Sequence, residues 1–430
     1  MMSEVAGAPA PNGGSVPTGC PVAHGFIPSD TGAHSDPFAW YQELRDTGRV
    51  VYQPMFDWYV VTRYEEVASV LKDAVTFSNA QSLGTDKPVP AAVRADLGED
   101  WRMPFELFLT LNDPPKHTRL RKLMAPAFTP RRMNAYADLI REIAEARIDE
   151  FVARGSADLA SDFAYRIPNK IIAKITGADD DVSDRFVEWT EAFLRMRITD
   201  ESDEESVRSW RLMAEQDRYT RELVDDRRDH PANDLTTDLI AATSDDGEPA
   251  LTDDEIIANI FGFFGAGSET SAIMIVNTMY LLLQHQEQWQ EVRADPGLVP
   301  AAIEEGLRMR GPVRGLVRVA VKDTEIGGVS IPAGANVYIC LAAANHDDEV
   351  FGQPERFDIH REKTADGHLA FGRWAHFCIG APLARLEGRV AIEALINRLP
   401  NLRLAADQGA LEYADNPVLP AVKALRVEWD

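Results

Sequence analysis

The stretch that most constrains this chain is FGRWAHFCIG at residues 371–380, which runs directly into APLARLEGRVAIEALINRL. A lone cysteine, Cys378, sits in a glycine-punctuated loop ahead of a segment whose apolar residues recur at helical spacing. The unpaired N–H groups and the dipole of a helix N-terminus stabilise an anionic sulfur. Gly372 and Gly380 let the backbone approach a flat ligand closely. Such a loop presents a thiolate; the plainer alternative is a buried structural cysteine beside a turn.

Composition narrows the setting. Cys20 and Cys340 are too scattered to build a disulfide framework with Cys378, and the total of 3 is odd. A reducing cytoplasm fits that usage. With 44 basic against 69 acidic residues the net charge is -25, which argues against nucleic acid as a partner, because such binders carry a basic footprint. Residues 1–30 are rich in Gly, Pro and Ala and lack the basic start and apolar run of a secretory signal. They read as a flexible N-terminal tail ahead of one domain over residues 31–430. No apolar stretch of about 20 residues is available to span a bilayer, so membrane insertion is not expected.

Along the chain the hydrophobic period is mostly helical. A helix ending at Gly48, a hairpin of Val50–Gln53 with residues 58–62, and a helix from Tyr64 come first. Residues 78–109 are irregular, a pattern common in functional or mobile segments. KHTRLRKLM then places His117, Arg121 and Met124 on one helix face. Helical patterns follow at 131–153, 169–175, 184–196, 209–228 and 235–243, with a mostly acidic run at 200–205 that reads as a solvated loop or a helix start.

TDDE at 252–255 is a capping box opening a helix to about Gln284, roughly 50 Å long. Gly262, Gly265 and Gly267 lie inside it, each costing about 1 kcal/mol relative to alanine. Either close packing on a neighbour or close approach of a planar cofactor or substrate explains them; the cofactor reading is preferred. A helix over Val299–Arg310 stops at Gly311 and Pro312, after which LVRVAV, TEIGGVSI and ANVYICL alternate as short strands. A turn-rich meander leads into the cysteine loop. The order describes a mainly α domain with small β-sheets.

Separate segments resemble the cytochrome P450 family, in family order and from residue 36 to the C-terminus. The cysteine loop is similar to F-G-x-G-x-H/R-x-C-x-G, with Trp374 standing where the second glycine is usual. Glu305 and Arg308 form E-x-x-R, PERF at 354–357 supplies Arg356, and AGSETS at 266–271 matches A/G-G-x-D/E-T-T/S. The resemblance implies the single-domain P450 fold with a long central helix over haem b, held by the Cys378 thiolate, and no bound flavin. It implies a structural network of Glu305, Arg308 and Arg356 behind the cysteine loop. By position in the family pattern, His117, Arg121, Arg318 and His376 would partner the two haem carboxylates, with Ala266, Phe371 and Gly380 beside the ring.

Thr270 next to Glu269 would relay the protons that reduced dioxygen needs before its O–O bond breaks. Local widening of the helix at 265–267 would leave room for oxygen and water. Trp374 implies either a reshaped turn or a side chain turned outward.

For substrate, Phe193, Phe263, Ala266, Val313, Leu316 and Val418, with Trp189 and the 82–109 stretch, suggest a compact apolar pocket. A small aromatic or terpene-like compound, hydroxylated or O-dealkylated, fits it. Arg314 reaches either a ligand oxygen or the surface. Electrons are expected from a separate ferredoxin with its reductase. Arg119, Lys122, Arg131, Arg132, Arg373, Arg385 and Arg389 would steer an acidic ferredoxin, unless they are scattered solvated charge. A monomer is expected. A peroxide-driven peroxygenase and a non-catalytic haem-thiolate sensor remain as alternatives, and the acid–alcohol pair argues against both.

Overall fold

The computed structural model describes residues 20–22, 38–80, 82, 88–99, 101–198, 203–243, 250–362, 364, 367–414 and 418–430. The tail expected over 1–30 lies outside them except for 20–22, where Val22 bridges to Tyr52 and Cys20 is buried. Residues 200–202 of the acidic run are also outside, and its remainder begins the helix Asp203–Asp229. All three cysteines are unpaired.

The fold is organised around one helix, Asp253–Gln284. Its capping box forms in full: the Thr252 hydroxyl accepts from the Glu255 N–H and the Glu255 carboxylate accepts from the Thr252 N–H. Because its middle and C-terminal half is apolar on every side, it is buried by helices all round. Arg166–Thr176, Arg185–Ile198, Val299–Arg310 and Ala381–Arg398 pack against it. Added Cβ atoms decide the question of its glycines. One on Gly267 would stand 2.8 Å from Ile172 Cδ1, and one on Gly265 would stand 3.1 Å from Thr190 Oγ1. Close helix packing therefore accounts for both, in place of the preferred cofactor reading. Nor does the helix widen there: it is α-helical throughout, with the Ser268 and Thr270 hydroxyls bonded to the Phe264 and Ala266 carbonyls.

The strands form beside this helical body. The largest sheet runs Val50–Gln53, Trp58–Val61, Asn336–Ile339, Leu316–Ala320, Phe77–Ser78. Its one parallel pairing, Trp58–Val61 with Asn336–Ile339, joins the two ends of the sequence, and Trp58 stacks on Tyr338 at 5.0 Å. Arg426–Glu428 pairs with both Ser156–Asp158 and Arg403–Leu404. The helix expected over 131–153 is broken into Pro130–Asn134 and Ala137–Phe151. The described residues of 78–109 hold a short α-helix, Ala91–Leu97, and a three-ten turn, Phe105–Leu107, amid irregular chain.

A buried ion network ties the meander to the helix Val299–Arg310, and it corrects one expectation. Glu305 accepts from Arg308 Nε and Nη2, both at 2.8 Å, and from Arg361 Nε at 3.0 Å. Arg308 continues to the carbonyls of Asn345 (2.9 Å) and Arg356 (3.3 Å). The Arg356 side chain, the expected third member, is 64% exposed and contributes only that carbonyl. Phe357 is fully buried and faces the core, so its neighbour points outward. The turn closed by the Arg361 N–H on the Asp358 carbonyl (3.0 Å) brings Arg361 back to Glu305 instead.

Candidate active site

Behind this network the cysteine loop is closed by its own backbone. The Cys378 N–H donates to the Phe371 carbonyl at 2.9 Å, and Gly372 takes φ +66°. Helix Ala381–Arg398 begins just beyond the cysteine. Burial pushes the Cys378 thiol up, while the Gly380 and Ala381 amides and the Arg121 and Arg385 guanidiniums pull it back. Arg385 lies 4.6 Å over the Phe371 ring. Trp374 adopts φ +52° and turns its indole outward, 44% exposed, with Arg373 over it at 5.4 Å.

Elements far apart in sequence bring a cationic donor set to one side of this loop. His117, from helix Lys116–Met124, meets His376 with ring centroids 4.1 Å apart. Arg318, from strand Leu316–Ala320, is buried and donates to the carbonyl of its neighbour Val317 at 2.8 Å. Burial, with His117, Arg318 and Arg121 adding repulsion, pushes His376 down to about 3. Burial lowers Arg318 to about 10 despite Asp113 nearby. Asp113 itself is taken up by the Ser78 hydroxyl and the Asn79 N–H. His117 Nδ1 and His376 Nε2 are buried without a hydrogen-bond partner among the described residues.

Such a cluster is unfavourable alone and favourable around an anion, because a carboxylate satisfies orphaned donors and reverses the sign of the repulsion. The donor set therefore fits a ligand that brings carboxylates next to the cysteine. Haem is such a ligand.

On the central helix, Ala266 is exposed and Thr270, one turn on, is half-buried. Glu269 is buried, and burial with the nearby Glu191 pushes its carboxyl up to about 7. Aromatic rings build the neighbouring wall: Phe193 lies 6.0 Å from Phe105 and 6.2 Å from Phe108, and Phe263 lies 5.1 Å from Phe128. Val313, Leu316 and Val418 are partly buried. Arg314 corrects a further expectation: it is neither at the surface nor free for a ligand. It is buried, donates to the Tyr41 hydroxyl at 2.9 Å and lies 5.1 Å over Tyr413.

Of the cations expected to flank the loop, Arg119 pairs with Glu255, Arg132 with Asp238, Arg385 with Glu304 and Arg389 with Glu393. Lys122 and Arg131 have no ion pair among the described residues. Sequence reasoning missed Asn79, 3.3 Å from His376, and Glu387. The Glu387 carboxyl is fully buried in helix Ala381–Arg398 with both oxygens unpartnered, and burial pushes it up to about 8. Only its acidic type at an apolar helix position signalled it.

Fold and site together define a haem-thiolate protein. The Cytochrome P450 family model matches residues 49–404, and the chain belongs to that family. It is 35% identical to the cytochrome P450 monooxygenase PikC of Streptomyces venezuelae, over 92% of this chain and 91% of that one. It is 35% identical to 6-deoxyerythronolide B hydroxylase of Saccharopolyspora erythraea, over 92% and 97%. Among solved structures, cytochrome P450 CREJ in complex with (4-ethylphenyl) dihydrogen phosphate aligns with a TM-score of 0.86 at 33% identity, covering 95% of this chain and 100% of that one. The chain is thus a cytochrome P450 monooxygenase, an oxidoreductase whose cofactor is haem b. No helix among the described residues is long and apolar enough to cross a membrane.

Proposed function

We propose that the chain oxidises a small, uncharged, hydrophobic substrate by hydroxylation or O-dealkylation, with electrons from a separate ferredoxin system. Bound haem supplies the activation of dioxygen; the rest is the work of the chain. Cys378 would ligate the iron, with the Gly380 and Ala381 amides and Arg385 stabilising its anionic sulfur. Arg121, His117, Arg318 and His376 would hold the haem carboxylates, with Phe371, Gly380 and Ala266 against the ring.

Thr270 and Glu269 would move protons. A carboxyl poised near 7 can both take up and release one at neutral pH, and the Thr270 hydroxyl, now bonded to the Ala266 carbonyl at 2.8 Å, is the alcohol nearest to it in sequence. A peroxygenase or a sensor has no need of that pair.

The substrate class rests on one observation: Arg314, a cation the sequence assigned to this wall, is bonded to Tyr41 and stacked on Tyr413. An anionic ligand would therefore meet mainly phenylalanine and aliphatic side chains, which disfavours it. Relatives are named for 6-deoxyerythronolide B and mycinamicin IV, and one neighbour is bound to (4-ethylphenyl) dihydrogen phosphate. The phenylalanine-lined wall favours the size of an alkylphenyl group without its phosphate. A titration series of alkylphenols, terpenes, macrolactones and aryl phosphates, followed by the low-to-high spin shift, tests this. Neutral aromatics or terpenes should give the tightest shifts; preferential binding of an anionic ligand would sink the reading.

A further inference from the structure

The two ring nitrogens of His376 keep different company. Nε2 is buried without a hydrogen-bond partner among the described residues. Nδ1 lies 3.3 Å from the side-chain amide nitrogen of Asn79. A neutral imidazole donates from one nitrogen and accepts at the other. Which nitrogen does which depends on what Asn79 offers to Nδ1.

The neighbours of Asn79 settle that. The same amide nitrogen also meets the Thr110 carbonyl oxygen. A carbonyl only accepts, so this end of the amide is the NH2 and not the oxygen. One of its hydrogens goes to Thr110 and the other faces His376 Nδ1. A proton on Nδ1 would set two hydrogens head to head. Nδ1 is therefore the acceptor, and the ring proton is on Nε2, the nitrogen that the chain leaves open.

The surroundings hold Asn79 in that pose. It is buried. Its backbone N–H donates to the Asp113 carboxylate at 2.7 Å, and the Ser78 hydroxyl donates to the same group. The Asp113 carbonyl accepts the His117 N–H at 3.0 Å. Strand Phe77–Ser78 pairs with Leu316–Ala320, Ser78 opposite Val319, and one further step of that register brings Asn79 level with Arg318. One short segment thus touches the start of the helix that carries His117, lies beside the strand that carries Arg318, and reaches His376. With both NH2 hydrogens engaged, the Asn79 amide nitrogen has no donor left for a ligand and acts through the imidazole.

We propose that Asn79 is a positioning residue for haem: by donating to Nδ1 it fixes His376 as the Nε2–H tautomer, so that the ring presents a donor to a haem carboxylate. This rests on the reading of His376 as a carboxylate partner. The reversed tautomer would set a lone pair against an anion and turn a charge-assisted hydrogen bond into a repulsion.

The test uses the haem-loaded protein. In the diamagnetic ferrous carbon monoxide form, nitrogen NMR of isotope-labelled histidine separates the two tautomers and the doubly protonated ring, and the signals lost in His376→Gln assign the residue. Wild type should carry a proton on Nε2 alone. A proton on Nδ1, alone or in addition, would overturn the proposal, and this measurement needs no variant at Asn79. Haem loss to excess apomyoglobin gives a second readout. Asn79→Leu should speed it roughly tenfold or more. In a His376→Arg background the same change should alter the rate by less than about twofold, because a guanidinium has no tautomer and donates from every nitrogen. Equal acceleration in both backgrounds would make Asn79 merely structural and overturn the assignment. Faster haem loss in His376→Gln with an unchanged rate in Asn79→Leu would remove the proposal alone. An unchanged rate in His376→Gln would remove His376 as a carboxylate partner, and the proposal would fall with that reading.

Discussion

The two sides of the proposed pocket are held by different means. On the cysteine side, short motifs supply backbone closure and an ion network: Phe371 to Cys378, Glu305 to Arg308 and Arg361, and carbonyls in the meander. The opposite side is assembled from rings, with Phe105, Phe108 and Phe193 contributed by elements far apart in sequence. Directional bonds fix geometry, whereas dispersion and apolar burial fix volume while tolerating exchange of shape. Rigidity is needed where a metal ligand is held, and tolerance suits a wall that selects substrate.

The strongest way to break that comparison is to attack the ion network. Arg308→Ala or Arg361→Ala leaves Glu305 buried without one of its cations, and removing one partner of a buried pair costs about 3–5 kcal/mol. Arg361 is the more exposed of the two, so its loss should lie at or below the lower end. Arg356→Ala, an exposed side chain, should stay within about 0.5 kcal/mol. Urea unfolding and haem content of the three variants check the order. Equal losses would restore Arg356 to the network and overturn the structural correction.

A smaller structural effect with a large chemical one is expected on the other side. Thr270→Ala should leave haem content and the carbon monoxide spectrum intact while product formed per reducing equivalent falls severalfold, because the proton relay is proposed to run through that hydroxyl. Product yield and peroxide release measured against reductant consumed give the answer. Unchanged coupling would remove Thr270 from the relay.

How much of this could be read in the sequence follows the same division. The cysteine loop, E-x-x-R and the capping box are local patterns in which each residue's partner is close in sequence, so the helices and the Glu305–Arg308 pair were legible. Arg361 was not, because its role depends on how a turn-rich meander folds back, and periodicity carries no information there. PERF drew attention to the arginine next to buried Phe357, where alternation turns it outward. The glycines of the central helix were visible, but their reason was not: Ile172 and Thr190, which fill the space, come from other helices. Arg314 was ambiguous for the same reason, since Tyr41 lies far away in sequence. His117, Arg121, Arg318 and His376 were named through the family pattern; spacing joins only His117 and Arg121, one turn apart on a helix, and no rule reaches Arg318 or His376.

A buried acid on each side offers the finest test, because neither has a cation of its own. Glu387 is fully buried with neither oxygen in a well-formed hydrogen bond among the described residues, and burial raises it from 4.5 to about 8 while the nearby Ser271 hydroxyl draws it partly back. A carboxyl whose folded pKa exceeds its unfolded one contributes stability that is complete below the unfolded value and is lost as pH rises through the folded value. Wild type should therefore lose stability from this group between pH 4.5 and about 8. Glu387→Gln cannot ionise. Its melting temperature relative to wild type should climb across that window and level off above it, whatever fixed offset the amide introduces. Glu269, raised to about 7 by burial and Glu191, should add a similar dependence that persists in the Glu387→Gln background. A difference between Glu387→Gln and wild type that is flat with pH would show that Glu387 finds a partner when haem is bound. The cysteine side would then be fully paired, and the unpaired acid would be a feature of the distal side alone.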